Sequence, residues 1–174
     1  MNKLIVLIIC GTLSFQLHAQ NRDLALSIGP EVLTSFEHTP TFLGIGATVQ
    51  AEAWVLPALG LGLNTGYYHF TSTGGADDVS FSAIPILGVV RYPLVLIEDL
   101  YGQDGIGYTF LNNVSTLESG STVPGAFTYY FALGYVLNNH LDISIKIGRT
   151  FMSKKDDPVN VNQHNLGFKF AYRL

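Results

Sequence analysis

The chain has 174 residues, the length of a single domain with a sizeable core. It is 48% hydrophobic but only 13% charged, about half the charged share of a soluble globular domain, which excludes disorder and an ordinary water-facing surface. The formal net charge of −4 leaves no basic footprint, so no nucleic-acid partner is expected.

The first segment reads as an address. Met1-Asn2-Lys3 carries one positive charge, Leu4 to Cys10 is an unbroken apolar run, and Leu17-His18-Ala19 is a small-residue exit before Gln20, the order of a secretory signal. Residues 1–19 are therefore expected to be a cleaved signal peptide and residues 20–174 the exported domain. Ile9 stands where lipoprotein processing needs a small residue, so lipid attachment at Cys10 is not expected. Cys10 is the only cysteine, and its removal leaves neither a disulfide framework nor a thiol nucleophile.

After the leader no stretch reaches the ~18 consecutive apolar residues of a spanning helix. The nearest approaches, 53–63 and 84–97, are broken by Pro57 and by Pro85, Arg91 and Pro93. Period-two alternation recurs instead and predicts eight strands, at 23–36, 41–54, 57–70, 79–92, 99–111, 126–137, 140–152 and 162–174. The second sets Leu43, Ile45, Ala47, Val49, Ala51 and Ala53 against Gly44, Gly46, Thr48, Gln50 and Glu52. The third sets Leu59, Leu61 and Leu63 against Gly60, Gly62 and Asn64. The sixth opposes Phe127, Tyr129, Phe131, Leu133, Tyr135 and Leu137 to Thr128, Tyr130, Ala132 and Gly134, and the seventh opposes Leu141, Ile143, Ile145 and Ile147 to Asp142, Ser144, Lys146 and Gly148. The fourth, around Ile84, is open in phase.

Such strands suit a soluble ligand-binding barrel with the apolar face inward, or a membrane barrel with that face on lipid. The scarcity of charge and the exported, cysteine-free chain favour the membrane. Connection lengths agree: those near 54–57, 93–98 and 138–139 are mostly short, whereas 71–78, 112–125 and 153–161 are longer and rich in Gly, Ser, Asn and Asp, the asymmetry of outer-membrane barrels. Aromatic residues near strand ends predict two interfacial girdles: Trp54, Tyr92, Tyr101 and Tyr172 on the periplasmic side, and Phe42, Phe70, Phe81, Phe110, Phe127 and Phe151 outside. Asp104 shares the parity of Ile106, Tyr108 and Phe110, which would set a carboxylate toward lipid; a bulge near Gly102 or Gly105 would change that phase. The apolar run Leu94 to Ile97 would extend a strand below the membrane or touch headgroups.

The closing segment, Leu166-Gly-Phe168-Lys-Phe170-Ala-Tyr172-Arg-Leu174, resembles the terminal strand read by the outer-membrane barrel assembly machinery. Leu174 departs from the usual terminal aromatic residue, which bears on the efficiency of assembly. With Ser82 to Tyr92 and Gly105 to Phe110, nearly the whole mature chain resembles the small eight-stranded barrels of the OmpA/OmpX-like superfamily. That resemblance implies an all-β, antiparallel, up-and-down transmembrane barrel of the bacterial outer membrane, a monomer in contact with outer-membrane lipid and lipopolysaccharide. No soluble domain is expected after the last strand.

Predicted lumen faces carry Glu52, Arg91, Asp142, Lys146, Lys169 and Arg173. A barrel this narrow is only just filled by its own side chains, so these charges are expected to pair and plug it, a narrow channel being the alternative. His38, His69 and His164 are placed near the outer ends, adjoining one another, with Glu37, Asp77, Asp78, Asp156, Asp157, Ser72 and Ser153 in the same rim. A His, Ser and carboxylate set would serve hydrolysis or acyl transfer on lipopolysaccharide, and His with Asp would serve a divalent metal; no motif spacing backs either, and polar loop residues are the ordinary expectation. His140 falls at a periplasmic turn. The expectation is of no catalytic residue, no cofactor and no metal, with a structural or surface-interaction role through external loops toward an unidentified surface ligand. A lipid-modifying outer-membrane enzyme and a small channel are the alternatives.

Overall fold

Alternating apolar and small polar side chains leave one face of every strand in need of hydrocarbon, and the chain resolves this by closing the sheet on itself. A computed structural model describes residues 24–36, 41–73, 80–94, 97, 99–112, 125–151 and 162–174. The expected leader, His38 and most of the outer connections lie outside them. The strands are β1 (Leu24–Phe36), β2 (Thr41–Leu56), β3 (Leu59–Thr73), β4 (Ser80–Pro93), β5 (Leu100–Asn112), β6 (Ala126–Leu137), β7 (Leu141–Phe151) and β8 (Asn162–Arg173). They form a closed barrel in chain order, with β8 pairing antiparallel to β1.

The register fixes the barrel's dimensions. Followed across the ladders, Leu24 pairs with Ala53, then Leu61, Val90, Asp104, Phe131, Ile147 and Leu166. The path returns to β1 at Thr34, ten residues above its start. Eight strands with that stagger tilt by roughly 40° and enclose a space that side chains fill. Every residue on this path faces outward, so the path also climbs the outer wall from one rim to the other.

Both chain ends of the barrel lie at the rim with the short connections. There β2 turns into β3 at 57–58, and β6 turns into β7 through Asn138 and Asn139, whose φ of 50° and 60° belong to the primed hairpin turn; the His140 amide closes it on the Leu137 carbonyl at 3.1 Å. The register shifts once, between Trp54 and Leu56. Leu94 and Ile97 belong to the β4–β5 connection rather than to a longer strand, with Leu94 N donating to Leu100 O at 2.8 Å and Ile97 half-exposed.

The apolar stripe points outward. Leu43, Ile45, Phe131 and Ile145 are 40%, 61%, 44% and 50% exposed, while Glu31, Gln50 and Asp142 are at most 1% exposed. This is the reverse of a water-soluble barrel and the arrangement of one whose solvent is lipid. No described helix is long and apolar enough to cross a membrane; the crossing elements are the strands.

β4 settles its open phase with large apolar residues inside. Phe81, Ala83, Leu87, Val89 and Arg91 are buried in the lumen, and Ile86 faces out. Pro85, which has no N–H for the ladder, sits where the β3–β4 pairing lapses between Thr65–Ile86 and Tyr68–Ala83, and the Thr65 hydroxyl donates to its carbonyl at 2.8 Å.

Candidate functional site: the filled lumen and the outer rim

Strand parity sends the predicted lumen charges inward, and they meet in two tiers. In the lower tier Arg91 of β4 donates through Nη1 to Glu52 Oε1 of β2 at 2.7 Å and through Nη2 to Asp142 Oδ2 of β7 at 2.5 Å. Arg173 of β8 reaches Glu52 at 3.2 Å, and Lys169 lies 4.0 Å from Asp142. The Tyr101 hydroxyl of β5 donates to the other Asp142 oxygen, and the Arg91 guanidinium lies 3.6 Å above the Tyr101 ring centre. Charges this deep are tolerable only when paired and hydrogen-bonded.

An amide layer joins this tier to the one above. Gln50 Nε2 donates to Glu52 at 3.0 Å and to Gln103 Oε1 at 2.9 Å; Gln103 returns a bond to Gln50 at 3.2 Å and donates to the Tyr130 hydroxyl at 2.5 Å. In the upper tier Lys146 of β7 pairs with Glu31 of β1, which also accepts the Tyr68 hydroxyl at 2.7 Å. Small residues make room: a Cβ at Gly134 would fall 2.1 Å from the Tyr101 ring, and one at Gly105 would fall 2.1 Å from the Tyr130 ring.

Above Tyr68 the lumen becomes apolar. Leu33, Tyr68, Phe70, Phe81, Ala83 and Leu111 pack together with Phe42 against them, Phe70 and Phe81 stacking at 4.7 Å. Next to them a cavity of about 60 Å³ reaches from Leu33 and Phe81 to Tyr130 and Lys146, room for a few waters.

Glu52, Arg91, Asp142, Lys146, Lys169 and Arg173 thus all stand where parity puts them. Glu31, Tyr101, Gln103 and Tyr130 complete the network without having been assigned to it. The available signal for Glu31 is its parity with Ser27 and Gly29, both inward.

The girdle assignment needs correction. Tyr101, Phe70 and Phe81 are buried in the lumen, and Phe42 packs against the cluster that holds Phe70 and Phe81. Trp54 lies toward Gly60 inside the periplasmic mouth. The outward aromatics nearest the two rims are Tyr92, Tyr135 and Tyr172 below and Phe36, Tyr67, Tyr108, Phe110, Phe127, Tyr129 and Phe151 above, with Phe131, Phe168 and Phe170 on the wall between them. Nearness to a strand end says nothing about parity, which decides the side. The parity of Asp104 holds, and the bulge that would have changed it is absent: β5 pairs without a register shift on both sides, so Asp104 faces lipid, the fourth of eight steps up the outer wall. Tyr92 lays its ring on Gly102 and its hydroxyl meets the Asp104 carboxylate.

His69 and His164 do not adjoin, and His38 lies outside the described residues. His69 on β3 pairs across to Ser82, and His164 on β8 pairs across to Arg149 and Phe36; β1 and β2 separate the two. Both share the outward parity of their strands. His69 Nδ1 is 3.5 Å from Ser82 Oγ, and the Tyr67 hydroxyl is 2.8 Å from that same oxygen. Neither Asp nor Glu occurs on β3, or on β4 beside them. Among the described residues no His, Cys, Asp and Glu group fits a metal ion. Glu37, Asp77, Asp78, Asp156, Asp157 and Ser153 fall outside the described residues.

A closed, antiparallel eight-stranded sheet with an apolar outer wall and an interior filled by paired charged side chains is the fold of small outer-membrane β-barrels. Solved structures of that class share the fold. Neisserial surface protein A superimposes with a TM-score of 0.58 at 11% identity, over 89% of this chain and 99% of that one. Ail, the attachment invasion locus protein of Yersinia pestis, solved with the heparin analogue sucrose octasulfate, gives 0.55 at 14% identity over 89% and 100%. OprG from Pseudomonas aeruginosa gives 0.53 at 11% over 88% and 96%. No protein-family model and no curated protein matches the sequence.

Proposed function

We propose that this is a non-enzymatic, non-conducting outer-membrane barrel, monomeric, whose role is structural or surface-interacting and is exerted through its external connections. Residues 1–19 would be the export signal, and the alternating segment Leu166 to Leu174 would be the strand presented to the barrel assembly machinery. The observation that carries the reading is the filled lumen. Arg91 bridges Glu52 and Asp142, from strands on different sides of the barrel, and the Glu31–Lys146 pair with Tyr68 and Tyr130 stands above it. An ion entering would have to break buried pairs whose loss costs several kcal/mol each.

The test is conductance of the purified protein in planar bilayers. Wild type is expected to show no single-channel events, and a steady unitary conductance would replace this reading with the channel. For the enzyme alternative, lipid A from cells with and without the gene is compared by mass spectrometry. Identical profiles are expected, and a missing acyl chain would overturn the non-enzymatic assignment.

A further inference from the structure

In the outer half of the lumen, the strands from β5 to β8 carry a ladder of hydroxyl and amide groups. Thr109 Oγ1 and Thr128 Oγ1 lie 2.8 Å apart, the Thr128 hydroxyl donates to Thr150 Oγ1 at 3.3 Å, and Asn165 Nδ2 donates to that same oxygen at 3.4 Å. Neither of the last two bonds uses the Thr150 proton, and the other end of the Asn165 amide, Oδ1, is buried with no protein donor. All four side chains line one wall of the cavity of about 60 Å³. The facing wall, from β1, β3 and β4, is Leu33, Phe70, Phe81, Ala83 and Leu87. Lys146 lies at the inner end, its charge already met by Glu31 and its ammonium 3.4 Å from the Tyr68 hydroxyl.

We infer that this cavity is a binding site for a small neutral alcohol, whose hydroxyl accepts from Thr150 and donates to Asn165 Oδ1 while its hydrocarbon lies on Leu33, Ala83 and Leu87. The two walls together select that chemistry. Water needs about two to four polar partners, and the side chains of the facing wall supply none. A pure hydrocarbon suits that wall but leaves the buried Asn165 oxygen unmet, which is costly. An anion finds no spare charge, because Lys146 is neutralised by Glu31. Size sets the remaining limit: an apolar cavity of ~150 Å³ takes benzene, so this smaller one takes a body of about three carbons. The Glu31–Lys146 pair and Tyr130 close the lumen on the inner side, so the ligand enters and leaves from outside without crossing the membrane.

The test places the protein in phosphatidylcholine nanodiscs with its leucine methyl groups labelled for NMR. The probes are n-propanol and its isomer ethyl methyl ether, which accepts a hydrogen bond but has none to donate. Methyls of the buried Leu33, Leu87 and Leu111 report the cavity, and those of Leu61 and Leu63 on the outer wall report partition into lipid. In wild type, propanol is expected to shift the lumen methyls saturably at millimolar concentration, as suits a ligand of about four heavy atoms. It should bind about fivefold more tightly than the ether, the worth of one hydrogen bond to a buried acceptor. Asn165→Ala should erase that preference, Thr150→Val should weaken propanol, and Ala83→Leu, which fills the cavity, should remove the saturable shifts of both probes. Folding of each variant is checked by the heat-induced mobility shift on gels. Lumen shifts that merely rise in proportion with those of Leu61 and Leu63, as a cavity holding water alone would give, overturn the site. So does a preference for propanol that survives in Asn165→Ala, or saturable binding that survives in Ala83→Leu.

Discussion

Replacing Arg91 by methionine keeps the length of a side chain that is 2% exposed and removes its charge. Two ionic hydrogen bonds go with it, to Glu52 at 2.7 Å and to Asp142 at 2.5 Å. The carboxylates are not left alone: Glu52 keeps Arg173 at 3.2 Å and Gln50 at 3.0 Å, and Asp142 keeps Tyr101 and, at 4.0 Å, Lys169. The loss therefore falls at the lower end of the range for breaking a buried pair, about 3 kcal/mol. Glu52→Gln removes one of the two carboxylates, so in the double variant the costs should fall short of their sum by about 2 kcal/mol. Urea unfolding from lipid vesicles measures this through Trp54, the only tryptophan, which sits in the mouth beside Gly60. A loss below about 1 kcal/mol for Arg91→Met, or additivity within about 0.5 kcal/mol, would refute the description of the lower tier as a coupled unit.

Three further outcomes follow from particular contacts. Asp104→Leu should raise stability in the same vesicles by about 1 kcal/mol, because it removes a lipid-facing carboxylate halfway up the wall; a decrease would mean that the Tyr92 contact outweighs the exposure. Gly134→Ala should cost ~1–3 kcal/mol by driving the Tyr101 ring off Asp142, and much less when Tyr101 is already leucine, as unfolding of the two pairs would record. Ser82→Ala combined with His69→Ala should leave the lipid A mass profile unaltered, since neither strand supplies a carboxylate to complete a triad; any change in acylation would count against this.

The strand count and nearly all boundaries were legible because alternation leaves a period that no helix can imitate. Lumen charges such as Glu52, Asp142 and Lys146 were legible for the same reason, each interrupting the small-residue face of a strand whose other face is plainly apolar. The reading failed where position along a strand stood in for parity. Tyr101 and Phe81 lie near strand ends, as girdle residues do, but both are on the inward face. On β4 the inward face is itself apolar, so Leu87 and Val89 look no different from Ile86 and Val90 until the closed sheet gives each a side. The separation of His69 and His164 was beyond the sequence altogether, since the distance around a barrel depends on strand order and stagger.

The ion pairs of the lumen join residues far apart in the chain: Glu31 with Lys146, Glu52 with Arg91 and Arg173, Arg91 with Asp142. None of them can exist on a single hairpin, and those reaching β7 and β8 need both halves of the sheet. While the seam between β1 and β8 stands open, several charges lack their counterions. Completing that last ladder, where Glu31 comes opposite Lys169, brings them together at once, so insertion should proceed as one cooperative event with few stable half-built forms.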